Sequence, residues 1–240
     1  MTQGLEIQRW SFWSPETRSP VEWRDHWRQT NARPGTAEAP GEGIPPMHRR
    51  RMSALSKQAL QVALEVRGDT EPDFLVFCSQ HGELARTMEL LSCIVAGTEL
   101  SPTAFSQSVH NSSAGLYTII AKNRAAATSL ASGASTFAYG WIEADAYLQA
   151  HPADSVLLVM SEDFLPSEYL PYSSQRSCRY ALGLTLGAAE RQGVTLDRAE
   201  PGANEELPMA PLFAAWWLST VRDFRITTDG QGWVWGRHGA

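Results

Sequence analysis

Two histidines that stand among small polar residues are the first candidates for catalytic chemistry. His81 lies in the sequence Ser-Gln-His-Gly-Glu at residues 79–83, and His110 lies two residues before Ser112. Both are predicted to follow strands, where a histidine can act as a general base that activates a hydroxyl for acyl transfer. The alternative is a ring that satisfies a backbone carbonyl or packs at an interface. Residues 111–115 (NSSAG) lack the first glycine of the Gly-x-Ser-x-Gly nucleophile turn, so the spacing disfavours a serine hydrolase.

The three cysteines differ in how their neighbours would tune a thiol. Cys78 ends an apolar stretch and Cys93 lies on an apolar helical face, so we expect both to be buried and inert. Cys178 stands between Arg176 and Arg179, whose positive charges would favour a thiolate usable in redox or acyl-transfer chemistry. We interpret Cys178 as a surface thiol. Without a Cys-x-x-Cys pair or a histidine at metal-ligand spacing, the sequence predicts no metal site and no cofactor.

The composition predicts a folded chain without affinity for anionic polymers. Of the 240 residues, 43% are hydrophobic and 19% are charged, which is enough apolar material for a core. A net charge of −6 gives no field that would attract nucleic acid or an anionic membrane surface. We find no phosphate-binding glycine motif, no secretion signal and no apolar stretch near the ~20 residues of a membrane span. We therefore expect a reduced, cytoplasmic protein.

A basic run, His48 to Arg51, stands where a helix is predicted to begin at Arg49. Positive charge at the start of a helix opposes the helix dipole, so the run needs a specific reason. An acidic partner is one interpretation, and a solvated face is the other. The acidic pair Glu162 and Asp163 also follows a predicted strand, where acidic residues most often form turns and caps.

Hydrophobic periodicity predicts alternating strands and helices in one α/β domain spanning residues 1–240. The predicted strands cover residues 7–13, 73–78, 127–130, 155–160, 180–187, 224–227 and 233–235, and the predicted helices cover 20–27, 49–66, 83–95, 114–121, 136–148 and 212–221. Strands that are apolar on both faces indicate a mixed sheet covered by helices on both sides, closed by antiparallel strands near the end. Residues 31–46, rich in proline and glycine, are predicted to form a mobile loop.

Several short motifs follow one another along the chain: Arg50 to Ser53, Ser101-Pro102, Asn111, Ala114-Gly115, Gly140 and Ala144. In this order they resemble the N-terminal half of β-ketoacyl synthases over most of residues 5–190. The stretches SQHGE, SPTAF, SVHNSSAG and WVWGR are similar to those of the short synthase-like subfamily found with aryl polyene and related type II polyketide systems. The resemblance implies a thiolase-like half, that is, a truncated β-ketoacyl synthase fold with a shortened C-terminal part at residues 191–240.

In that family the nucleophile is a cysteine at the turn between a buried strand and the following helix. Reading from Asn111 and Ala114-Gly115 without a gap, this position falls on Ala134, or on Ser135 if the register is one residue off. A methyl group cannot attack a thioester, and a serine would still need a base. The family's two catalytic histidines belong to a C-terminal half that this chain largely lacks. The resemblance therefore implies a non-catalytic chain length factor in a heterodimer with a catalytic β-ketoacyl synthase, reaching acyl carrier protein through that complex.

The resemblance also assigns surfaces. The strand Ala127, Thr128, Ser129 and Leu130 is expected at the partner interface. Residues 78–88 and the SPTAF loop are expected near the acyl tunnel, whose lining is assigned to Gln80, His81, Leu84, Ala104 and Phe105.

Two other functions stay open at this point. One is a free-standing acyltransferase or thioesterase that uses Ser112 with His110, or Cys178. The other is an acyl carrier protein-binding module in which Arg49 to Arg51 meet an acidic helix of the carrier.

Overall fold

Strands whose side chains are apolar on both faces form the centre of the structure. In β4 (Val156–Glu162) every residue is buried; Leu157 and Val159 join one hydrophobic cluster, and Leu158 and Met160 join another on the opposite face. Such a strand needs helices on both sides of its sheet. The computed structural model, which describes residues 4–29, 31–68, 71–190 and 193–238, provides them.

Eight strands and eight α-helices are present in the described parts of the chain. The other strands are β1 (Leu5–Trp13), β2 (Phe74–Cys78), β3 (Ala126–Leu130), β5 (Tyr180–Ala188), β6 (Gly193–Ala199), β7 (Asp223–Thr228) and β8 (Gln231–His238). The helices are α1 (Pro20–Trp27), α2 (Pro46–Arg49), α3 (Ala54–Val66), α4 (Leu84–Ala96), α5 (Pro102–Ser106), α6 (Ser112–Ala121), α7 (Thr136–Ala150) and α8 (Met209–Trp217).

The sheet has the order β3-β2-β4-β5-β1-β6-β8-β7. The β2 strand pairs in parallel with both β3 and β4, and the remaining pairs are antiparallel. Helices α3 and α6 cover one face through residues such as Leu60 and Tyr117, and α1, α7 and α8 cover the other with a cluster that contains Trp23, Trp141 and Phe213. The predicted mixed sheet with helices on both faces is therefore confirmed, as are the antiparallel closing strands β7 and β8.

The basic run does not begin a helix, contrary to the prediction from periodicity. The long helix α3 starts at Ala54, because the side chain of Ser53 accepts the backbone N–H of Ser56 at 2.9 Å and caps it. Arg49 ends the separate four-residue helix α2, and Arg50 and Arg51 lie in the turn that follows. Their charges therefore stand before the cap rather than on the first turn of α3. Strand β6 was missed because its second half is polar and exposed.

Residues 31–45 contain no helix or strand, as their composition predicts, but the segment is anchored to the core. Ala39 and Ile44 are buried in the cluster beneath α3, and the Gly41 N–H donates to the Gln61 side chain at 2.9 Å. The mobility of residues 31–46 stays a prediction.

Strand β3 lies at the edge of the sheet and pairs with β2 alone among the described strands. The sequence predicts a buried strand here, and this is wrong for the described chain: Ala126 and Ala127 are exposed, and residues 128–130 are half-buried. The ring of His110, which follows α5, contacts the Ser79 carbonyl at the end of β2, and the Ser79 N–H donates to the carbonyl of Leu130 at the end of β3. No helix in the described residues is long and apolar enough to cross a membrane.

Candidate functional site

The turn between β3 and α7 is the position at which the sequence places a missing nucleophile. Gly133 adopts φ +56°, and a Cβ atom there would stand 2.8 Å from a carboxylate oxygen of Asp229, so both the backbone conformation and the space favour glycine. Ala134 follows it and is 6% exposed. The described fold therefore provides a tight strand-to-helix turn at the predicted place, with a methyl group on the residue in question.

The backbone N–H of Ala134 is already occupied. It donates to Oδ2 of Asp229 at 2.9 Å, and Oδ1 of the same carboxylate accepts from Ser174 Oγ at 3.1 Å. Asp229 and Gly230 both have positive φ and connect β7 to β8, the arrangement that Asp-Gly favours in a two-residue hairpin turn. The Asp-Gly pair could have located this hairpin from sequence, but not its contact with residue 134, which is 95 positions away.

Ser135 has no base at its hydroxyl among the described residues. Its Oγ lies 2.8 Å from Thr228 Oγ1, accepts the indole N–H of Trp233 at 3.1 Å, and is 2% exposed. These partners hold the hydroxyl but cannot remove its proton. A register in which Ser135 replaces Ala134 therefore provides no activated nucleophile either.

The loop after β2 is organised by a buried carboxyl group. Glu162, at the end of β4, accepts the backbone N–H of Gln80 and, at 3.3 Å, the hydroxyl of Ser79. Burial raises the pKa of Glu162 to about 8, although the hydrogen bonds from the loop lower it. Glu162 is thus part of the strand and holds this loop, and is not the turn former expected from its position in sequence.

Gln80 and His81 line a cavity of about 20 Å³ with Glu162, Cys178 and Tyr180. That volume has room for one water molecule rather than an acyl chain. Burial lowers the pKa of His81. The structure therefore brings two of the five predicted tunnel residues together at a small polar cavity.

The three other predicted tunnel residues lie on neighbouring helices. Leu84 begins α4 and is half-buried, whereas Ala104 and Phe105 belong to α5, where Phe105 is 66% exposed. The two helices contact each other, and Arg86 on α4 donates to Gln107 just after α5 at 2.8 Å.

His110 and Ser112 do not form a catalytic pair. His110 follows helix α5 rather than a strand, which corrects the sequence expectation, and its Nε2 lies 2.7 Å from the carbonyl of Ser79. Ser112 begins α6, and its buried hydroxyl has no hydrogen-bond partner among the described residues. The ring therefore satisfies a backbone carbonyl and leaves the serine without a base.

Cys178 is not the surface thiol that the sequence suggests. It is 2% exposed, and burial raises the pKa of its thiol well above the usual range. The neighbouring guanidinium groups are engaged elsewhere, since Arg179 pairs with Asp163 at 2.6 Å and Arg176 donates to the Trp27 carbonyl at 2.9 Å. Sequence proximity to two arginines therefore does not create a thiolate. Burial raises the pKa of the Cys78 thiol as well.

In the segment between β2 and β3, apolar side chains are exposed instead of packed. We call this surface the open face and define it by the exposed side chains of α4, α5, α6 and the loops around α5: Leu91, Ile94, Val95, Leu100, Phe105, Val109 and Ile119. In α4 only Leu90 is buried, although most of its second half is apolar. Seven exposed apolar side chains in this one segment are typical of a protein interaction site.

The basic run is exposed at its end. Arg49 donates to the carbonyls of Pro40 and Gly41 at 3.3 and 3.5 Å, whereas Arg50 and Arg51 form no ion pair with the described residues. No group of three metal-binding side chains is placed to hold an ion within the ranges the structure describes.

The mixed sheet and its strand-to-helix turn define a thiolase-like, ketosynthase-type α/β protein. The family model described as "Beta-ketoacyl synthase, N-terminal domain" matches residues 23–236, and the chain belongs to that family. Among curated proteins no match was found.

Three solved structures place this fold among ketosynthase complexes. A chain of "Ketosynthase (ApeO) in Complex with its Chain Length Factor (ApeC) from Xenorhabdus doucetiae" has 28% sequence identity and a TM-score of 0.82, covering 98% of this chain and 99% of that one. The ishigamide ketosynthase/chain length factor matches with 14% identity and a TM-score of 0.66 over 98% and 99% of the two chains. A chain of the AntDE:AntF complex, a type II polyketide synthase acyl-carrier protein with its ketosynthase, matches with 10% identity and a TM-score of 0.69 over 100% of both chains. The last two support the fold alone.

Proposed function

We propose that this chain is a non-catalytic chain length factor that pairs with an active β-ketoacyl synthase and helps to shape its acyl tunnel, in aryl polyene or related type II polyketide or fatty acid biosynthesis. The observation that carries the proposal is the turn at Ala134, where the family's nucleophile position holds a methyl group and the backbone N–H is taken by Asp229. Covalent loading of an acyl group there has neither an attacking atom nor a free donor for the resulting oxyanion.

The open face and the β3 edge support a heterodimer. The outer edge of β3, with Ala127, Thr128, Ser129 and Leu130, has unpaired backbone groups within the described chain, and α4 and α5, which precede β3 in the chain, have exposed apolar side chains. Such an edge is a ready template for a second chain, and the apolar surface would be removed from water by the same contact. The solved relative with 28% identity is itself a ketosynthase in complex with its chain length factor.

We assign the tunnel lining from the family resemblance. Phe105 and Leu84 are the bulky apolar members of that lining and neither is buried within this chain, so we assign to them the strongest effect on chain length. Ala104, Gln80 and His81 complete the assigned lining, although the cavity at Gln80 and His81 in this chain alone has room for only one water molecule, so an acyl chain would have to pass beside it. A tightly packed wall at the end of a tunnel leaves no volume for extra carbons, and product length is then set sterically.

Reconstitution with the cognate ketosynthase tests the pairing. We expect the two chains to purify as a stoichiometric complex and this chain alone to self-associate, because it would expose the open face. After incubation with an acyl thioester, intact-mass spectrometry should find the adduct on the ketosynthase and none on this chain. A monodisperse monomer that binds no ketosynthase, or an acyl adduct lost in Ser112→Ala or Cys178→Ala, would refute the proposal.

Product length in the reconstituted pair tests the tunnel residues. Phe105→Ala and Leu84→Ala should lengthen the main product by the space that each truncation opens. Val221→Ala, at an exposed position next to β7 and far from β3 in the strand order, is the control that should leave length unchanged. Unchanged length in both tunnel variants would contradict the tunnel assignment while leaving the heterodimer intact.

A further inference from the structure

Three side chains of the C-terminal hairpin hold the turn between β3 and α7. Asp229 accepts the Ala134 N–H at 2.9 Å, Thr228 Oγ1 lies 2.8 Å from the Ser135 hydroxyl, and Trp233 donates to the same hydroxyl at 3.1 Å. Ser135 and Thr228 are almost fully buried, so two of the three contacts are shielded from water. The hairpin therefore holds the turn at two successive residues.

The chemistry of the Asp229 contact differs from that of the other two. The N–H of Ala134 lies just before the start of α7, where the helix dipole favours negative charge. A backbone N–H at such a place is the kind of donor that stabilises the oxyanion of acyl transfer. In this chain the negative group is supplied internally, and the side chain of Ser174 holds its second oxygen at 3.1 Å.

We propose that Asp229 is an internal anion that closes this turn: its carboxylate occupies the Ala134 N–H and excludes an acyl oxyanion from it. This role of Asp229 rests on the proposed function and deepens it, since it gives a second reason, beyond the missing thiol, why the turn would not catalyse acyl transfer. Restoring a thiol at residue 134 would then be insufficient for reactivity. The thiol would stand beside a carboxylate, which raises the pKa of a neighbouring thiol and disfavours the thiolate.

A reporter cysteine tests this directly in the full-length chain. Ala134→Cys is compared with the double variant Ala134→Cys/Asp229→Asn by the rate of alkylation with iodoacetamide, in which the thiolate displaces iodide and forms a C–S bond. Peptide mass spectrometry separates residue 134 from Cys93. We expect labelling at pH 7 to be at least about tenfold faster in the double variant, which corresponds to about one unit of thiol pKa.

The matched control is Ala134→Cys/Asp197→Asn. Asp197 lies on β6, is exposed, and does not contact the turn. Its substitution by Asn removes the same charge as Asp229→Asn. It should leave the labelling rate within about twofold of Ala134→Cys alone, since distant surface charges are screened. Equal rates in all three proteins would overturn the proposal.

Hydrogen exchange provides a test that needs no cysteine and no partner. In the unmodified chain the Ala134 amide should exchange at least about a hundredfold more slowly than a free amide, although it lies outside helix and strand. Asp229→Ala should remove most of that protection, whereas Asp197→Ala should not. An unprotected Ala134 amide in the unmodified chain would refute the closure. Because both tests use this chain alone, they can fail while the heterodimer stands, and they can succeed if it does not.

Discussion

Toward the β7 edge of the sheet, aromatic side chains pack against one another, whereas on α4 and α5 apolar side chains face outward. Phe213 and Trp235 have ring centroids 5.5 Å apart, and Phe137 lies 5.0 Å from Phe213. All three are at most 1% exposed. On α4, by contrast, Ile94 is 59% exposed and Val95 is 89% exposed.

The difference shows which contacts the chain completes by itself. Phe137, Phe213 and Trp235, which we call the aromatic block, form a finished core, that is, one that needs no second chain to be buried. Their packing contributes to the stability of the isolated domain. The side chains of the open face are apolar but exposed. They can contribute to stability only when another chain buries them. Substitutions in the aromatic block should therefore affect stability, and substitutions on the open face should affect binding.

Trp235→Ala should have the largest effect and should act on stability. Removing a fully buried indole leaves a cavity in the aromatic block, and we expect a loss of about 3–5 kcal/mol in the free energy of unfolding. Urea unfolding of the purified chain measures it. Trp10→Ala is the control, because Trp10 is 39% exposed and should cost about 1 kcal/mol or less. Similar losses at both positions would mean that the aromatic block is not a finished core.

Glu162→Gln should change how stability depends on pH, in the region between the two sides. The folded pKa of about 8 lies above the ordinary value of 4.5, so the fold prefers the neutral carboxyl. The contribution of Glu162 to stability is therefore complete below pH 4.5 and falls as the pH rises towards 8, by up to about 1.4 kcal/mol per unit.

Glutamine is neutral throughout and keeps an oxygen for the Gln80 N–H. We expect the variant to be as stable as the unmodified chain at pH 5 and more stable at pH 8, by roughly 2–3 kcal/mol. Thermal unfolding at the two pH values measures the difference, and the exposed Glu99→Gln should show none. A variant that is less stable at both pH values would show that the carboxylate form holds the loop.

Ile94→Asp should act on binding and leave stability nearly unchanged. A charge placed on the open face would be buried without a partner in the proposed heterodimer, and we expect affinity for the ketosynthase to fall about 10- to 100-fold. Val221→Asp is the matched control, with 56% exposure beside β7. Biolayer interferometry measures the affinity. Equal affinity in the two variants would show that the open face is not part of the interface with the ketosynthase.

Ser56→Ala, on α3 in a buried polar cluster with Glu83 and Ser113, should have the smallest effect. The Ser56 hydroxyl donates to Glu83 at 2.7 Å and lies 3.1 Å from the Ser113 hydroxyl, and all three side chains are buried. Losing one such hydrogen bond should cost about 1 kcal/mol in the free energy of unfolding. Ser92→Ala, an exposed serine on α4, should be nearly neutral. If the two variants have the same stability in urea unfolding, this buried network contributes nothing.

Much of the fold is predictable from local pattern. The apolar run at β4 and the periodicity of α7 are visible in any short window, because burial on both faces or on one face dictates the spacing of apolar residues. Helix α3 was predicted five residues too long at its start, since periodicity continued through the arginines while the cap at Ser53 ended the helix. The interpretation of Cys178 was wrong because neighbours in sequence do not determine burial.

The alternation of strands and helices and the absence of a thiol at residue 134 can be read from the sequence alone, since both depend on residue types in known order. The group that occupies that turn and the surface that stays open depend on tertiary packing. Asp229 reaches Ala134 across 95 positions, and the exposure of α4 depends on what the sheet leaves uncovered. Neither is encoded in a local window, because both result from the packing of segments that are distant along the chain.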